Sequence, residues 1–162
     1  MLSPASEARL QDVMPALADK IRQMAAILAL DPEPIALVVS AGARTWAEQH
    51  ALFLQGRSLP GDIVTDADGG QSWHCLGVAV DCEPEVVNGE IDWKASHPQW
   101  KRMEAVGVSL GLTTGANWIR LVDAPHFQLT GGFPVNAPND EARQIYQNEG
   151  AAAFWAEVES SL

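Results

Sequence analysis

Apolar positions recur along the chain with two different periods. Leu17, Ile21, Met24 and Leu28 fall three or four residues apart, which puts them on one stripe of a helix. Pro15 opens that helix, because its fixed φ and missing N–H suit a first turn. Ser6 reads as the N-cap of a shorter helix over 7–13. Asp31-Pro32-Glu33-Pro34 stops the longer helix, and the β-branched run over 35–39 that follows reads as a buried strand. Ser40 to Thr45 turns the chain ahead of a helix over 46–55. Residues 56–71 form a polar loop with a Pro60-Gly61 turn and a Gly69-Gly70 pair. A second strand is expected over 76–82, then a hairpin turn at Asn88-Gly89. Ser96 caps a helix that carries Pro98 in its first turn and runs to about residue 110. Short strands are expected over 118–122 and 126–129, and a last helix after Asn139 that Gly150 weakens. Strands and helices mix without a regular βαβ rhythm, so the fold class is α+β.

Composition narrows the picture. A chain of 162 residues with 47% hydrophobic and 19% charged positions is an ordinary globular composition, expected to form a single domain over 1–162. Ten Lys and Arg face 21 Asp and Glu, for a net charge of −11. That balance argues against nucleic acid and against a polybasic membrane contact, since both need cationic surface, and leaves cation binding open. The acids are bunched. Residues 59–93 hold eight of them and no Lys or Arg, a block that on composition alone reads as a solvated face. Two cysteines, Cys75 and Cys82, make no disulfide framework. The N-terminus lacks a cationic start followed by an apolar run, and no stretch approaches the ~20 apolar residues of a membrane span. A monomer, cytoplasmic in the producing cell with reduced thiols, is the expectation.

Two segments carry candidate chemistry. In the first, Ser72-Trp73-His74-Cys75-Leu76-Gly77-Val78-Ala79-Val80-Asp81, a strand places Gly77, Ala79 and Asp81 on one face. Asp81 then leaves a face of very small residues, where a metal or substrate can approach. His74 precedes the strand, so only a turn brings it to the same point. Imidazole nitrogen and carboxylate oxygen are both good zinc ligands; the same spacing also reads as an ordinary His–Asp hydrogen bond. The second segment is Trp118 to Leu129. Pro125 drives Ala124 towards an extended conformation, His126 and Gln128 share a face, and Phe127 and Leu129 point into the core. Asp123 needs a bend to reach His126. By itself the segment also reads as a satisfied loop. Together the two segments supply His, Asp, His and a further carboxylate, which is three ligands, an open position and a base for water.

The order Ser-x-His-x6-Asp followed by Asp-x-Pro-His resembles the D-Ala-D-Ala carboxypeptidase-like zinc peptidases. These share a fold with the Hedgehog signalling domain and include phage L-alanyl-D-glutamate endolysins. Ser40-Ala41-Gly42-Ala43-Arg44-Thr45 with Gln49 is similar to an S-G-x-R-[ST]-x-x-x-Q segment of the endolysin branch, with Ala41 as an added residue. Residues 52–61 and Val64-Thr65 resemble its L-[YF]-x-Q-G-R-[ST]-x-P-G and V-T stretch. The likeness spans about residues 10–129.

The resemblance implies a small antiparallel sheet packed with helices. It implies that His74, Asp81 and His126 ligate Zn²⁺, that Asp123 is the general base, and that Arg44 holds a substrate carbonyl or carboxylate. Gln49, Arg57 and Trp118 are further candidates for substrate contact, while Ser72 and Gln128 would brace the ligands. The implied activity is hydrolysis of peptidoglycan stem peptides, foremost the L-Ala–D-Glu bond. D-Ala–D-Ala cleavage, or a non-catalytic wall-binding module on the same fold, is the alternative. The enzyme would act on the wall after release or export.

Some positions keep another reading. Arg44 can pair with Glu48, four residues on. Thr114-Gly115-Ala116-Asn117-Trp118 stands where the family often has W-G-G-x-W, which bears on the cleft wall. Cys75 and Cys82 flank two ligands; the strand turns Cys82 away from Asp81, and both read as inert thiols. His50 and His97 read as surface or helix-start residues. Asp62, Asp66, Asp68 and Gly69 resemble a calcium loop but lack the closing acid of an EF-hand, leaving an irregular second cation site open.

Overall fold

A computed structural model describes residues 1–86, 90–91, 93–119 and 122–162. In chain order the helices are α1 (Pro4–Arg9), α2 (Pro15–Ala29), α3 (Trp46–Leu54), α4 (Pro98–Ser109), α5 (Asp140–Glu149) and α6 (Ala151–Glu159). The strands are β1 (Ala36–Ala41), β2 (Ala79–Val86), β3 (Glu90–Ile91), β4 (Thr113–Thr114) and β5 (His126–Gln128). They fall into two compact units, one of Met1–Gly42 with Ala79–Leu129 and one of Ala43–Val78 with Thr130–Leu162.

The first unit is built on an antiparallel sheet in the order β1-β2-β5-β4, with β3 paired to β2. Its register sorts the side chains. Leu37 faces Pro84, Val39 faces Cys82 and Val80 faces Phe127, so the buried apolar residues share one face. α1 and α2 pack on β1, and α4 packs on β2. The stripe expected on α2 is present, with Leu17, Ile21, Met24 and Leu28 all buried. On the opposite sheet face Asp81 lies across from His126, Ala79 from Gln128, and Val38 from Glu83. Between Val39 and Ala41 the register shifts by a bulge at Ser40.

Several expected boundaries move. The first helix begins at Pro4, not 7, because Ser3 caps it by accepting from the Ser6 N–H. Ser6 is instead buried, and its hydroxyl accepts from Val39 N at 3.1 Å, tying α1 to β1. α4 is capped at His97 without a side-chain bond, so Ser96 is not its cap. The strand expected from 76 starts at Ala79. Trp73–Leu76 is a 3₁₀ turn, and Gly77 ends it in the left-handed region at φ 72°, so Gly77 does not share the strand face of Asp81. The hairpin turn at Asn88-Gly89 lies outside the described residues, as do 120 and 121 of the strand expected over 118–122. Trp118 and Ile119 are not in a strand; the 3₁₀ turn Gly115–Asn117 that precedes them, capped by Thr114, carries the chain away from the ladder. β4 has only two residues, too few to leave a period in the sequence.

In the second unit Thr45 and Glu48 form a full capping box at the start of α3. The aromatic core joins Trp73, stacked on Phe154 with centroids 6.3 Å apart, to Phe133, 5.3 Å from the same ring. Trp155 Nε1 donates to Leu76 O at 2.8 Å, holding the 3₁₀ turn that carries His74. The final helix is two helices, since Gly150 at φ 89° breaks it rather than merely weakening it.

Among the described residues no helix is long and apolar enough to cross a membrane. Gly107 on α4 has no room for a side chain, since a Cβ there would sit 2.4 Å from Phe127 Cε1. Gly107→Ala is therefore expected to destabilise the protein by about 1–3 kcal/mol through overpacking, read as a lower urea midpoint at unchanged slope.

Candidate metal centre

The antiparallel register of β2 and β5 brings Asp81 and His126 together. His126 Nδ1 lies 3.4 Å from Asp81 Oδ1 and 4.0 Å from Asp123 Oδ2. Its other ring nitrogen, Nε2, is 2.9 Å from Gln128 Oε1. An amide oxygen only accepts, so Nε2 carries a hydrogen, and Nδ1 is the ring nitrogen turned to the two carboxylates. Trp118 flanks the imidazole with its ring centroid at 4.8 Å.

Local chain geometry delivers Asp123. His126 N donates to Asp123 O at 3.2 Å, bending the chain through Pro125, and Cys82 N donates to Pro125 O at 2.9 Å to anchor the bend on β2. Asp123 N donates to Gly115 O at 3.0 Å. Gly115 must be glycine, because a Cβ there would meet Asp123 O at 2.5 Å and His126 Cβ at 3.0 Å. Of the five-residue stretch that replaces W-G-G-x-W, Gly115 and Trp118 thus both border the site.

His74 arrives on the 3₁₀ turn. Ser72 Oγ accepts from His74 N at 3.4 Å, and Arg44 N donates to His74 O at 3.0 Å. His74, Asp81 and His126 each offer one ligand atom, all within 4.8 Å of one another, a group able to hold a metal ion. Two imidazoles and one carboxylate are the donor set that zinc accepts in catalytic sites, where a fourth position stays open.

Residues 65–129 match a family model described as D-alanyl-D-alanine carboxypeptidase. The peptidoglycan L-alanyl-D-glutamate endopeptidase CwlK of Bacillus subtilis (strain 168) is 32% identical over 119 residues, 69% of this chain and 68% of that protein. This chain belongs to the D-alanyl-D-alanine carboxypeptidase family. Among solved structures, the Serratia marcescens L-Ala D-Glu endopeptidase ChiX aligns with a TM-score of 0.55 at 26% identity, over 80% of this chain and 90% of that one. The LD-carboxypeptidase LdcB aligns with a TM-score of 0.56 at 17% identity, over 93% of this chain and 69% of that one, a likeness of fold. The α+β class and the small antiparallel sheet packed with helices stand with these neighbours.

In this carboxypeptidase-family chain the matched segment holds both histidines and both carboxylates of the centre, while Arg44 and Gln49 lie upstream of it. Arg44 is half-buried, and its Nη1 donates to Gln49 Oε1 at 3.1 Å. Glu48, the other partner considered for Arg44, uses its carboxylate on Thr45 N at 2.8 Å and Thr45 Oγ1 at 2.7 Å, which holds it below the usual carboxylate range. Gln49 is fully buried. Arg57 sits 4.2 Å over the Phe53 ring and bonds Phe53 O, Thr65 O and Asp66. Both thiols are buried, and burial pushes Cys75 up and Cys82 well up, so neither offers a thiolate near neutral pH. His50 pairs with Asp68 at 2.6 Å, and His97 is the cap of α4. Among the described residues the acids of the 62–68 loop form no metal-holding group.

Burial alone would lower the His126 pKa; the Asp81 hydrogen bond and charge, then Gln128 and Asp123, outweigh it and the net shift is upward. One acid of the 59–93 block is buried beside the site, a placement that composition does not show. Glu83 lies two residues beyond Asp81 on the same sheet face and is buried, with Oε1 accepting from Ser40 Oγ at 2.5 Å. Among the described residues Oε2 has no hydrogen-bond partner. Strand alternation from Asp81 was the signal that could have found it.

Burial, reinforced by the nearby Asp81 and Asp123 charges against the Ser40 bond and Arg9, raises the Glu83 pKa to about 7. A carboxyl whose folded pKa lies above its ordinary value keeps its proton while the unfolded chain loses it. Stability therefore falls as pH rises from the ordinary range through 7 and levels off above. Glu83→Gln keeps the Ser40 acceptor and carries no charge. In metal-free protein it is expected to match the parent near pH 4.5 and to exceed it at pH 8 by about 3 kcal/mol, the linkage value of such a shift. Urea unfolding at the two pH values measures the difference.

Proposed function

We propose that this chain is a zinc-dependent endopeptidase of peptidoglycan stem peptides, cutting between L-Ala and D-Glu. One observation carries the reading above the rest: two carboxylates converge on a single imidazole nitrogen, Asp81 Oδ1 at 3.4 Å and Asp123 Oδ2 at 4.0 Å from His126 Nδ1. One is more buried and suits a ligand; the other, with its side chain 39% exposed, suits a group that meets water and substrate. The bond is chosen because both CwlK and ChiX are named for it.

In this reading His74, Asp81 and His126 would hold the metal. A zinc ion bound there supplies Lewis-acid polarisation of the scissile carbonyl and acidifies water towards pH ~7. The remaining work belongs to the chain. Asp123 accepts the proton of the attacking water and returns it to the leaving amine. Arg44 offers a fixed fork of donors to the oxygen that gains charge, a geometry Lys does not reproduce. Gln128 keeps the hydrogen of His126 on Nε2, and Ser72 caps the turn under His74. Trp118 walls the imidazole. A lytic role, with the enzyme reaching the wall after release from the cell that makes it, is the context that suits such an activity.

Mass spectrometry of digested sacculi tests the bond. New L-Ala carboxyl ends and D-Glu amino ends are expected; loss of terminal D-Ala instead would make the chain a carboxypeptidase, as its family model is described, and binding without cleavage would make it a wall-binding module. Asp123→Asn should lower kcat by about 10²–10⁴-fold while zinc retention, followed by competition with a chromophoric chelator, holds. Gln128→Leu should weaken zinc about 10–100-fold in the same competition. Cleavage that survives both chelation and Asp123→Asn would sink the mechanism.

A further inference from the structure

Gln49, Arg57 and Thr65 form one connected network that ends on Arg44. Gln49 is fully buried, with both ends of its amide engaged inside the protein. Its Oε1 accepts from Arg44 Nη1 at 3.1 Å, and its Nε2 donates to Ala67 O at 2.9 Å and to Thr65 Oγ1 at 3.4 Å. Thr65 Oγ1 also accepts from Ala67 N at 3.2 Å, closing a tight turn. Arg57 grips the same turn from just beyond the end of α3. Its Nη1 donates to Thr65 O at 3.0 Å and to Phe53 O at 2.7 Å, its Nη2 reaches Asp66 at 3.0 Å, and its guanidinium lies over Phe53.

We infer that Gln49, Thr65 and Arg57 are positioning residues that orient the Arg44 guanidinium, not groups that touch substrate. A buried amide with both ends used cannot also reach a peptide without breaking a bond it already makes. Arg57 holds a backbone turn in place with its fork, and the turn holds Gln49. Gln49 in turn presents one acceptor to Arg44 Nη1 and fixes where that end of the guanidinium points. This replaces the expectation that Gln49 and Arg57 contact substrate. It rests on the proposed function insofar as Arg44 acts on a substrate oxygen.

The test joins a kinetic cycle to a readout that needs no turnover. Thr65→Val, close in shape and lacking the hydroxyl, should lower kcat/KM on a soluble stem peptide about tenfold, with most of the loss in kcat. Thr65→Ser should recover most of that loss. Placed on Arg44→Ala, Thr65→Val and Arg57→Gln should each change the residual rate by no more than about twofold, because the group they orient is already gone. In parallel, the Arg44 Nε–Hε resonance of the zinc-loaded protein should shift or broaden in Thr65→Val, Arg57→Gln and Gln49→Met. Losses that add fully to Arg44→Ala, or an Arg44 resonance that none of the three moves, would overturn the inference. A wild-type protein that cleaves no stem peptide would reject the proposed function instead, and the resonance would still decide the network.

Discussion

The pairing of β2 with β5 is the constraint on which the rest depends. Antiparallel register sets Asp81 across from His126, and the same ladder turns Val80, Cys82 and Phe127 to the apolar face. A slip of one residue would put Asp81 and His126 into the core and the apolar side chains outside. The hydrophobic burial that stabilises the sheet therefore also determines the position of the site. Phe127 is the clearest case, because it packs against Gly107 of α4 while its two neighbours, His126 and Gln128, make the polar pair on the other face.

That arrangement concentrates carboxylates. Asp81, Glu83 and Glu85 share one face of β2, and Asp123 is bent in beside them by the Pro125 turn. The acid block over 59–93 is therefore not a single solvated face. Asp66 and Asp68 in the loop are engaged by Arg57 and His50, whereas the β2 acids line the polar side of the sheet. Glu83 shows the cost most directly: with its charge opposed by burial and by Asp81, it holds its proton to about pH 7. A cation bound beside Asp81 would relieve the same repulsion.

Much of this was legible in the residues. The α2 stripe, the Pro-rich break and the α+β class could be read from period and spacing, and the His74, Asp81, His126 and Asp123 set from two segments whose joint order resembles a zinc peptidase family. What escaped has physical causes. Ser6 resembled a cap because capping chemistry is local, yet its hydroxyl serves Val39, distant in sequence. Gly77 looked like a strand residue because glycine has no side chain with which to signal a left-handed turn. β4 is too short to carry a period. Motif spacing likewise does not say that the Gln49 amide and the Arg57 guanidinium are engaged within the protein.

The sequence by itself determined which residue types stand at which intervals: two histidines, two carboxylates, an alternating strand and an Asp-x-Pro-His bend. Those follow from chemistry within a few residues of each position. Only the tertiary structure decided which nitrogen of His126 faces the carboxylates, because Gln128 holds the other one. It alone decided that Glu83 is buried beside Asp81, since register is a property of two strands and not of one. It also decided that Arg44 is met by Gln49, whose amide is in turn anchored by the turn at Thr65. Burial and the hydrogen bonds between distant residues depend on segments far apart in the chain, and no local pattern contains them.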